Sequence, residues 1–409
     1  MKSICLLFNV HQPVRLRRMR FYDIGNSDYY YDDYHNETEA KRLADSCYLR
    51  ANDLIYQLIQ KYPNRFKVAF SISGTAIDLF KRYTPEVLTS FQKLAATGCV
   101  EFVAQPYAHS YASVMDGGEF IRQVAKHADE LESSFGKRPT VFANTKLIYT
   151  DEVGRMVAGM GYKAALINSY SVDQKNPNCV FQSSDRGPLS LLPANTAMSD
   201  DIARWFTGPQ ACGVPLIASD FVAGLKALPA GDGNVNLILD YENFGGRKNK
   251  NNGIFDFLKR LPSLIFKSTD FKFLMPSEVV ESHQPVSELK VPETIRLDGA
   301  KTDLSAWLGN DLQREAVEIL YALTAMVNQT DDADLKKDWA YLQTSDHFSF
   351  MCTRMLSEYP DRCSCGSFDS PFDAFVNYMN ILSDFNIRLQ HVLTTNGKRR
   401  KQLHDNRIA

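Results

Sequence analysis

The sequence predicts an α/β fold, a (β/α)7 TIM-like barrel followed by a C-terminal helical bundle. Short β-rich apolar runs alternate with amphipathic stretches through the first two thirds of the chain, which indicates βαβ units and a parallel sheet. Polar, titratable residues follow most of these runs, and in parallel barrels the carboxyl ends of the strands carry the active site. The sequence therefore predicts a barrel with a functional site on one rim.

Seven apolar runs are the predicted strands of this barrel. They are Ser3–Val10, Phe66–Ser71, Cys99–Ala104, Thr140–Ala143, Tyr162–Ile167, Asn234–Leu239 and Phe271–Leu274. Apolar residues at helical spacing predict helices between several of them, namely Ala44–Lys61, Pro85–Ala96, Glu119–Phe135 and Glu152–Met160.

Beyond Glu281 the pattern changes from alternating elements to helices alone. Pro285 and Pro292 interrupt the chain, and the helices predicted after them are Asp311–Val327, Asp331–Leu342 and Asp373–Leu393. We therefore expect a catalytic-type barrel over residues 1–285 and a C-terminal helical domain over residues 286–409.

Composition excludes several classes of partner. Lys plus Arg is 46 and Asp plus Glu is 48, a balance that argues against nucleic acid. No apolar run approaches the roughly 18 residues of a membrane helix, so no membrane partner is expected. The eight cysteines are scattered, which favours a reduced, cytoplasmic protein. Cys363 and Cys365 lack the second pair that a zinc site needs, and no metal is expected.

Clusters of polar residues follow five of the predicted strands. They are His11-Gln12-Pro13, Gln105 to His109, Asn144-Thr145-Lys146, Asp240 to Gly246, and Pro276-Ser277-Glu278. One polar residue after a strand is usually a loop residue. Five clusters on one rim predict a site.

The loop Phe21 to Glu39 alternates tyrosines with aspartates. This composition suits carbohydrate, which binds by ring stacking and by hydrogen bonds to hydroxyl groups. It equally suits a loop that packs its tyrosines against the helical domain, and the sequence leaves both interpretations open.

The rim offers part of the chemistry of a glycosidase. A retaining enzyme needs two carboxyls about 5–5.5 Å apart, one as nucleophile and one as acid/base. Asp240 closes an apolar run and should project into the rim, although it would also serve as a simple cap of the strand-to-loop turn. Glu242 follows two residues later. His11 and His109 are candidates to bind sugar hydroxyls or a metal, but a lone histidine is more often a hydrogen-bonding residue.

Four segments resemble, in order, the motifs of glycoside hydrolase family 57, in particular its α-amylase-type branch. They are Phe8–Arg17, Cys99–Ser110, Phe142–Tyr149 and Leu239–Gly245, and the helical segments Leu304–Asn310 and Leu342–Phe348 also match. The resemblance covers nearly the whole chain. It implies a (β/α)7 barrel and a helical bundle that act on α-glucans (starch, glycogen or maltooligosaccharides) with retention, without a metal or another cofactor.

The resemblance also implies the site residues. Asp240 takes the general acid/base position, and Lys146 stands where the family has its nucleophilic Glu. The substrate-binding candidates are His11, Gln12, Gln105, His109, Glu242, Arg247, Trp307 and Asp346. Gln105 replaces a usual Glu, and Gly246-Arg247 replaces a usual Glu-His.

Lysine cannot act as the glycosyl-accepting carboxylate. Its ammonium would pair with Asp240, lower the pKa of that carboxyl and make it a poor proton donor near neutral pH. We therefore expect the two side chains to contact each other, directly or through a water.

Three functional readings follow. The first is a catalytically impaired homologue, a pseudoenzyme that binds α-glucan. The second is an active retaining α-amylase or 4-α-glucanotransferase that uses another carboxylate, such as Glu242. The third is a metal-dependent polysaccharide deacetylase, which commonly has an HxxxH pair. Ser113 stands at that spacing from His109, so the sequence speaks against it.

Overall fold

The computed structural model describes residues 1–172, 176–184, 187, 189–207, 217–229, 231–246, 253–292, 304–353 and 367–408. Arg247, Cys212, Cys363 and Cys365 lie outside the described residues. Within the described part of the chain, no helix is both long and apolar enough to span a membrane.

Contacts between Cα atoms divide the chain into two compact units. The barrel unit comprises Met1–Gln12, Glu37–Tyr107 and Phe120–Thr294. The helical unit comprises Pro13–Asn36, Ala108–Glu119 and Ile295–Ala409. Both units are discontinuous in sequence, and the domain division after residue 285 stays a prediction.

Ten strands occur in the described residues. They are β1 Lys2–Val10, β2 Val68–Ile72, β3 Val100–Phe102, β4 Val141–Ala143, β5 Ala164–Ile167, β6 Phe181–Ser183, β7 Ser190–Pro193, β8 Asn234–Asp240, β9 Phe271–Phe273 and β10 Glu288–Leu289.

Seven of these strands form a closed parallel ring. β8, β1, β2 and β3 pair in that order, and β4, β5 and β7 form a second parallel series. Single parallel bridges join the two series, from Ala104 to Phe142 and from Ala194 to Asn236. The prediction of a TIM-like barrel with a parallel sheet is therefore confirmed.

One member of the ring differs from the prediction. The run around Phe271 was expected to be the seventh strand, but β9 pairs only with the beginning of β1, with Phe271 beside Lys2 and Phe273 beside Ile4. The ring takes β7 instead. β7 is short and ends in Pro193, so it lacks the β-rich run that marks the other strands. β6 pairs antiparallel with β7, and β10 continues from β6 outside the ring.

Helices connect the strands and make up most of the helical unit. The α-helices are Asp33–Leu43, Leu49–Lys61, Gly74–Tyr83, Pro85–Ala95, Ala112–Met115, Gly117–Phe135, Asp151–Gly159, Thr196–Thr207, Ala218–Ala227, Ile254–Ser268, Pro276–Ser282, Ser305–Leu308, Asp311–Ala322, Thr324–Val327, Ala333–Leu342, Ser345–Ser349 and Pro371–Ile408. A π-helical turn, Ala44–Tyr48, joins the first two. Short 3₁₀ turns are Phe21–Asp23, Thr145–Leu147, Ser169–Val172 and Tyr241–Asn243.

Successive side chains of each strand belong alternately to two hydrophobic clusters. Ile4, Leu6 and Phe8 of β1 belong to the larger cluster, which also contains the apolar faces of the surrounding helices. Cys5 and Leu7 belong to a smaller cluster of residues from neighbouring strands. Since successive side chains of a strand point to opposite faces, odd-numbered residues of β1 face the barrel interior.

The helical unit has its own core. Trp339 and Phe385 stack with ring centroids 6.2 Å apart, and Phe348 packs edge-on against Tyr378 at 5.5 Å. The buried Asp338 accepts hydrogen bonds from the Tyr31 hydroxyl and, at 2.9 Å, from Arg388. Its charge is therefore paired inside the unit, which a buried carboxylate requires.

The loop after β8 is packed tightly against the π-helical turn. Gly245 has φ +94°, and a Cβ there would lie 2.3 Å from the carbonyl oxygen of Ser46. Gly98 also has positive φ, +69°, but a Cβ would meet nothing within 4 Å. Both glycines have a positive φ that L-residues rarely adopt, but only at Gly245 would a Cβ also clash with a neighbouring atom.

We expect Gly245→Ala to lower the free energy of unfolding by roughly 2–4 kcal/mol, and Gly98→Ala by only about 1 kcal/mol. The difference measures the contact with Ser46, because both variants carry the same left-handed strain. Urea unfolding of the two variants checks this. Equal losses would show that the loop can move away from the π-helical turn.

Candidate functional site

The inward-facing strand ends place several predicted residues on one rim. Asp240 ends β8 and lies in register with Asn9 of β1. The Asn9 side-chain amide donates to Asp240 Oδ1 at 3.4 Å, and the Asp240 side chain is exposed. Asp240 has the same strand parity as the inward Ile238, which packs on the smaller cluster. The carboxylate therefore lies at the end of β8, and its role in a site stays a prediction.

His11 is held at the end of β1 by the neighbouring strand. Its Nδ1 lies 2.9 Å from the hydroxyl of Ser73, which follows β2. Ser73 also caps the helix Gly74–Tyr83 by accepting from the amide of Ala76 at 3.2 Å. His11 is half-buried, and the contact with Ser73 restricts the orientation of its ring.

Gln12 links two strand ends through its side chain. Its amide nitrogen donates to the hydroxyl of Tyr48 at 3.0 Å and to the carboxylate of Glu242. Its Oε1 is buried and accepts no hydrogen bond from any described residue. The π-helical turn ends at Tyr48, whose ring stacks on Tyr241 at 6.0 Å. Such turns are frequent at functional sites, and this one supplies the partner that orients Gln12.

Gln105 follows β3 and is buried. Its backbone N–H donates to Nδ1 of His127 at 3.1 Å, and Nε2 of His127 lies 2.7 Å from the carbonyl of Ile72. The first bond requires an unprotonated Nδ1, so the neutral ring donates through Nε2. Burial lowers the pKa of His127 from 6.5 to about 4. His127 was not among the predicted site residues, because its position on a helix away from every strand end gave no signal of this bridging role.

Lys146 follows β4 in a strained 3₁₀ turn. Lys146 and Leu147 have φ of 52° and 56°, values that cost L-residues about 1 kcal/mol each and cluster at functional sites. Asn144 holds the turn by accepting from the amide of Thr145 and donating to the carbonyl of Ile148, both at 2.9 Å. The Lys146 side chain is exposed. β4 and β8 lie across the ring from each other, and the contact of Lys146 with Asp240 stays a prediction.

The cluster Pro276 to Glu278 does not belong to this rim. β9 runs beside the first residues of β1, so it ends next to Ile4 and not at the carboxyl ends of the ring strands. There the buried Glu101 accepts from the amide and hydroxyl of Ser277, both at 2.9 Å, and Lys67 pairs with Glu278. Burial raises the pKa of Glu101. Glu101 was not among the predicted residues, because it lies inside an apolar run and its own sequence context does not indicate a contact with a helix start.

His109, Trp307 and Asp346 lie in the helical unit. His109 is buried with φ 52°, and its carbonyl accepts from the amide of Ser345 at 3.3 Å. Tyr111 packs against Trp307 with ring centroids 5.8 Å apart. The helices that carry Trp307 and Asp346 contact each other. The structure thus brings these three predicted residues into one region of that unit.

The loop between Phe21 and Glu39 fits both of its interpretations in part. Tyr30 and Tyr31 are buried and donate to Asp384 and Asp338 of the helical unit. Tyr22 and Tyr34 are 86% and 75% exposed.

Among the described residues, no group of three or more His, Cys, Asp or Glu side chains could hold a metal ion.

The chain belongs to glycosyl hydrolase family 57. The profile of that family matches residues 5–292. A Methanocaldococcus jannaschii protein that carries the provisional name alpha-amylase is 33% identical over 401 residues, which cover 94% of this chain and 84% of that protein. The resemblance of the motifs is therefore confirmed at the level of the family.

Solved structures share the fold at low identity. A family 57 branching enzyme from Thermococcus kodakaraensis superposes with a TM-score of 0.66 at 13% identity, covering 96% of this chain and 94% of that one. A 4-alpha-glucanotransferase from Thermococcus litoralis gives 0.63 at 13% identity over 85% of this chain. The present chain spans 56% of the length of that enzyme.

We expect the neutral His127 bridge to make folding pH-dependent. Its folded pKa of about 4 lies below the ordinary 6.5, so the unfolded chain takes up the proton first as pH falls. The stabilisation is complete above pH 6.5 and is lost between pH 6.5 and 4, by roughly 3 kcal/mol. Urea unfolding of wild type and His127→Gln at several pH values measures it.

The difference in the free energy of unfolding between wild type and His127→Gln should shrink steadily as pH falls from 6.5 to 4. Comparing the two proteins cancels the titration of the other histidines and the carboxylates. A constant difference from pH 7 to pH 4 would contradict a neutral buried bridge.

Proposed function

We propose that this family 57 protein binds an α-glucan at the barrel rim and does not hydrolyse it. The observation that carries the proposal is Lys146, which occupies the turn after β4 where the family motif has its nucleophilic Glu. An ammonium group cannot form a glycosyl-enzyme ester. The retaining mechanism needs such an intermediate, so the substitution removes its first step.

The distribution of carboxylates supports the same proposal. Among the last residue and the first four residues after each ring strand, only Asp240 and Glu242 are carboxylates. Asp240 ends β8 and Glu242 follows it, whereas a retaining pair approaches the scissile bond from two sides. Glu242 also accepts from Gln12, which fixes its carboxylate toward β1.

The remaining polar groups suit a neutral polyol. His11, Gln12, Gln105, Asp240 and Glu242 offer imidazole, amide and carboxylate groups on the barrel unit. His109, Trp307 and Asp346 are further candidates from the sequence motifs, and the indole ring offers a stacking surface. Arg247 is a further candidate from the sequence alone. Together these groups supply hydrogen-bond donors and acceptors, and both kinds can pair with sugar hydroxyls.

The names of the relatives favour α-glucan as the substrate class. They are an alpha-amylase by provisional name, a branching enzyme and a 4-alpha-glucanotransferase. We also propose a cytoplasmic location, since Cys5, Cys47, Cys99 and Cys352 are free and buried.

An active enzyme is the second candidate. Gln12, which also donates to Tyr48, holds Glu242 in a fixed position two residues after Asp240, and fixed carboxylates are what a reaction needs. In that case Glu242 would replace the missing nucleophile in an α-amylase or 4-α-glucanotransferase.

We expect the wild type to bind maltoheptaose by calorimetry and to release no reducing sugar above a heat-inactivated control. Asp240→Asn should weaken binding without changing that baseline. Turnover that is lost in Glu242→Gln would support the second candidate. Turnover that survives Glu242→Gln but disappears in Asp240→Asn would show that another nucleophile exists.

Lys146→Glu tests whether the nucleophile alone is missing. It restores a carboxylate and removes the cation, and two close carboxylates raise one pKa, as a general acid needs. Lys146→Gln is the matched control, because it removes the cation without adding a carboxylate.

We expect little or no hydrolysis of an activated aryl glucoside by Lys146→Glu, because Gln105 and Arg247 also depart from the family motifs. Lys146→Glu combined with Gln105→Glu and Arg247→His should do better. Strong activity of the single variant, absent in Lys146→Gln, would show that the rim is otherwise intact. If the single variant Lys146→Glu and the triple variant are equally inactive and still bind maltoheptaose, the rim is adapted to binding alone.

A further inference from the structure

Exposed aromatic side chains are concentrated in one short stretch of the helical unit. In the described part of the chain, five Phe and Tyr side chains are exposed, and four of them lie between residues 21 and 34. They are Phe21 at 72%, Tyr22 at 86%, Tyr29 at 40% and Tyr34 at 75%. The sequence has 47 aromatic residues in total, so this concentration on 14 positions requires an explanation.

The stretch is ordered by backbone contacts rather than loosely attached. Leu16 and Tyr31 form an antiparallel bridge, and the amide of Arg17 donates to the carbonyl of Tyr30 at 2.8 Å. At the tip, Asp384 of the long helix Pro371–Ile408 accepts from the amide of Gly25 at 2.6 Å. The amide of Met19 donates to the side chain of Asn377, also at 2.6 Å. The exposed rings therefore project from a fixed support.

The tyrosines of this stretch divide into two groups. Tyr30 and Tyr31 are buried, and their hydroxyls bind carboxylates of the helical unit. The outward rings contact one another or nearby side chains: Phe21 lies edge-on to Tyr22 at 5.9 Å, and Tyr34 packs against His35 at 5.5 Å. Tyr29 donates to Asp33 at 2.6 Å, which fixes its ring. The buried pair already anchors the loop, so the outward rings are not needed for that purpose.

The charge of the stretch selects the kind of ligand. Residues 21–34 contain four aspartates and no arginine, lysine or glutamate, so their formal charge is −4. An anionic ligand such as nucleic acid would want a basic excess. No aliphatic side chain in this stretch is among the exposed large hydrophobics. Rings interleaved with hydrogen-bonding groups, and without exposed aliphatic neighbours, match the apolar faces and hydroxyls of a sugar.

We propose that Phe21, Tyr22, Tyr29 and Tyr34 form an aromatic surface that holds a polysaccharide chain, as a binding site additional to the barrel rim. The choice of α-glucan as its ligand rests on the proposed function. Stacking rings with a polar edge bind sugars at small entropic cost, because their side chains have few rotatable bonds. The surface would keep the protein on a large glucan particle while the rim engages a chain.

The experiment compares a polymer with a short sugar. Affinity electrophoresis in gels containing glycogen measures polymer binding, and calorimetry with maltotriose measures binding at the rim. Phe21→Ala/Tyr22→Ala should weaken glycogen affinity by roughly tenfold and leave maltotriose affinity unchanged, because two stacking contacts are lost on an exposed surface. Ile121→Ala/Ile319→Ala, which removes two other exposed apolar side chains, is the matched control and should alter neither.

The remaining outcomes separate the two proposals. Glycogen affinity unchanged in Phe21→Ala/Tyr22→Ala, with an unaltered melting temperature, would overturn the aromatic surface. So would a wild type that binds a β-glucan but not glycogen, or a dimer in sedimentation that this variant abolishes. Absence of maltotriose binding, with glycogen binding still sensitive to Phe21→Ala/Tyr22→Ala, would remove the rim proposal and leave the aromatic surface standing.

Discussion

The barrel closes through two contacts that are each one bridge long, and one of them depends on a buried side-chain amide. Asn236 of β8 donates to the carbonyl of Pro193 at 2.8 Å and accepts from Asn234 at 2.8 Å. The carbonyl of Asn236 also accepts from the amide of Asn195. A buried amide without partners would cost about 1–3 kcal/mol, so this network both satisfies the asparagines and joins β7 to β8. Ring closure then brings the carboxyl ends of all seven strands to one rim.

On that rim the protein fixes its polar side chains to one another. His11 contacts Ser73, Gln12 joins Glu242 to Tyr48, and Asn9 contacts Asp240. The rim is therefore preorganised, as binding a polyol requires, yet its two carboxylates follow a single strand. A preorganised rim with Lys146 in the turn after β4 is what the proposed function requires, namely recognition of a sugar without the first chemical step.

Local pattern predicted most of the fold, and it failed where the outcome depended on distant partners. The runs that became β1 and β8 are long and β-rich. β7 is recognisable only by its place between β5 and β8. The prediction for β9 was wrong because its register against Lys2 depends on β1 and cannot be predicted from the residues of β9 alone. Motif order predicts Asp240 and Lys146 as site positions, and this stays a prediction. It could not reveal His127, whose role comes from burial between Ile72 and Gln105.

A crystal structure with a maltooligosaccharide soaked into the protein tests the central claim most directly. We expect an intact sugar on the barrel rim, with Asp240 beside a glycosidic oxygen, Lys146 beside the anomeric carbon of the same linkage, and no bond from the protein to that carbon. A covalent glycosyl bond to Glu242, or cleaved products in the density, would show that the protein is an active enzyme. A rim that stays empty at saturating sugar, in crystals where it is accessible, would contradict α-glucan binding at this site.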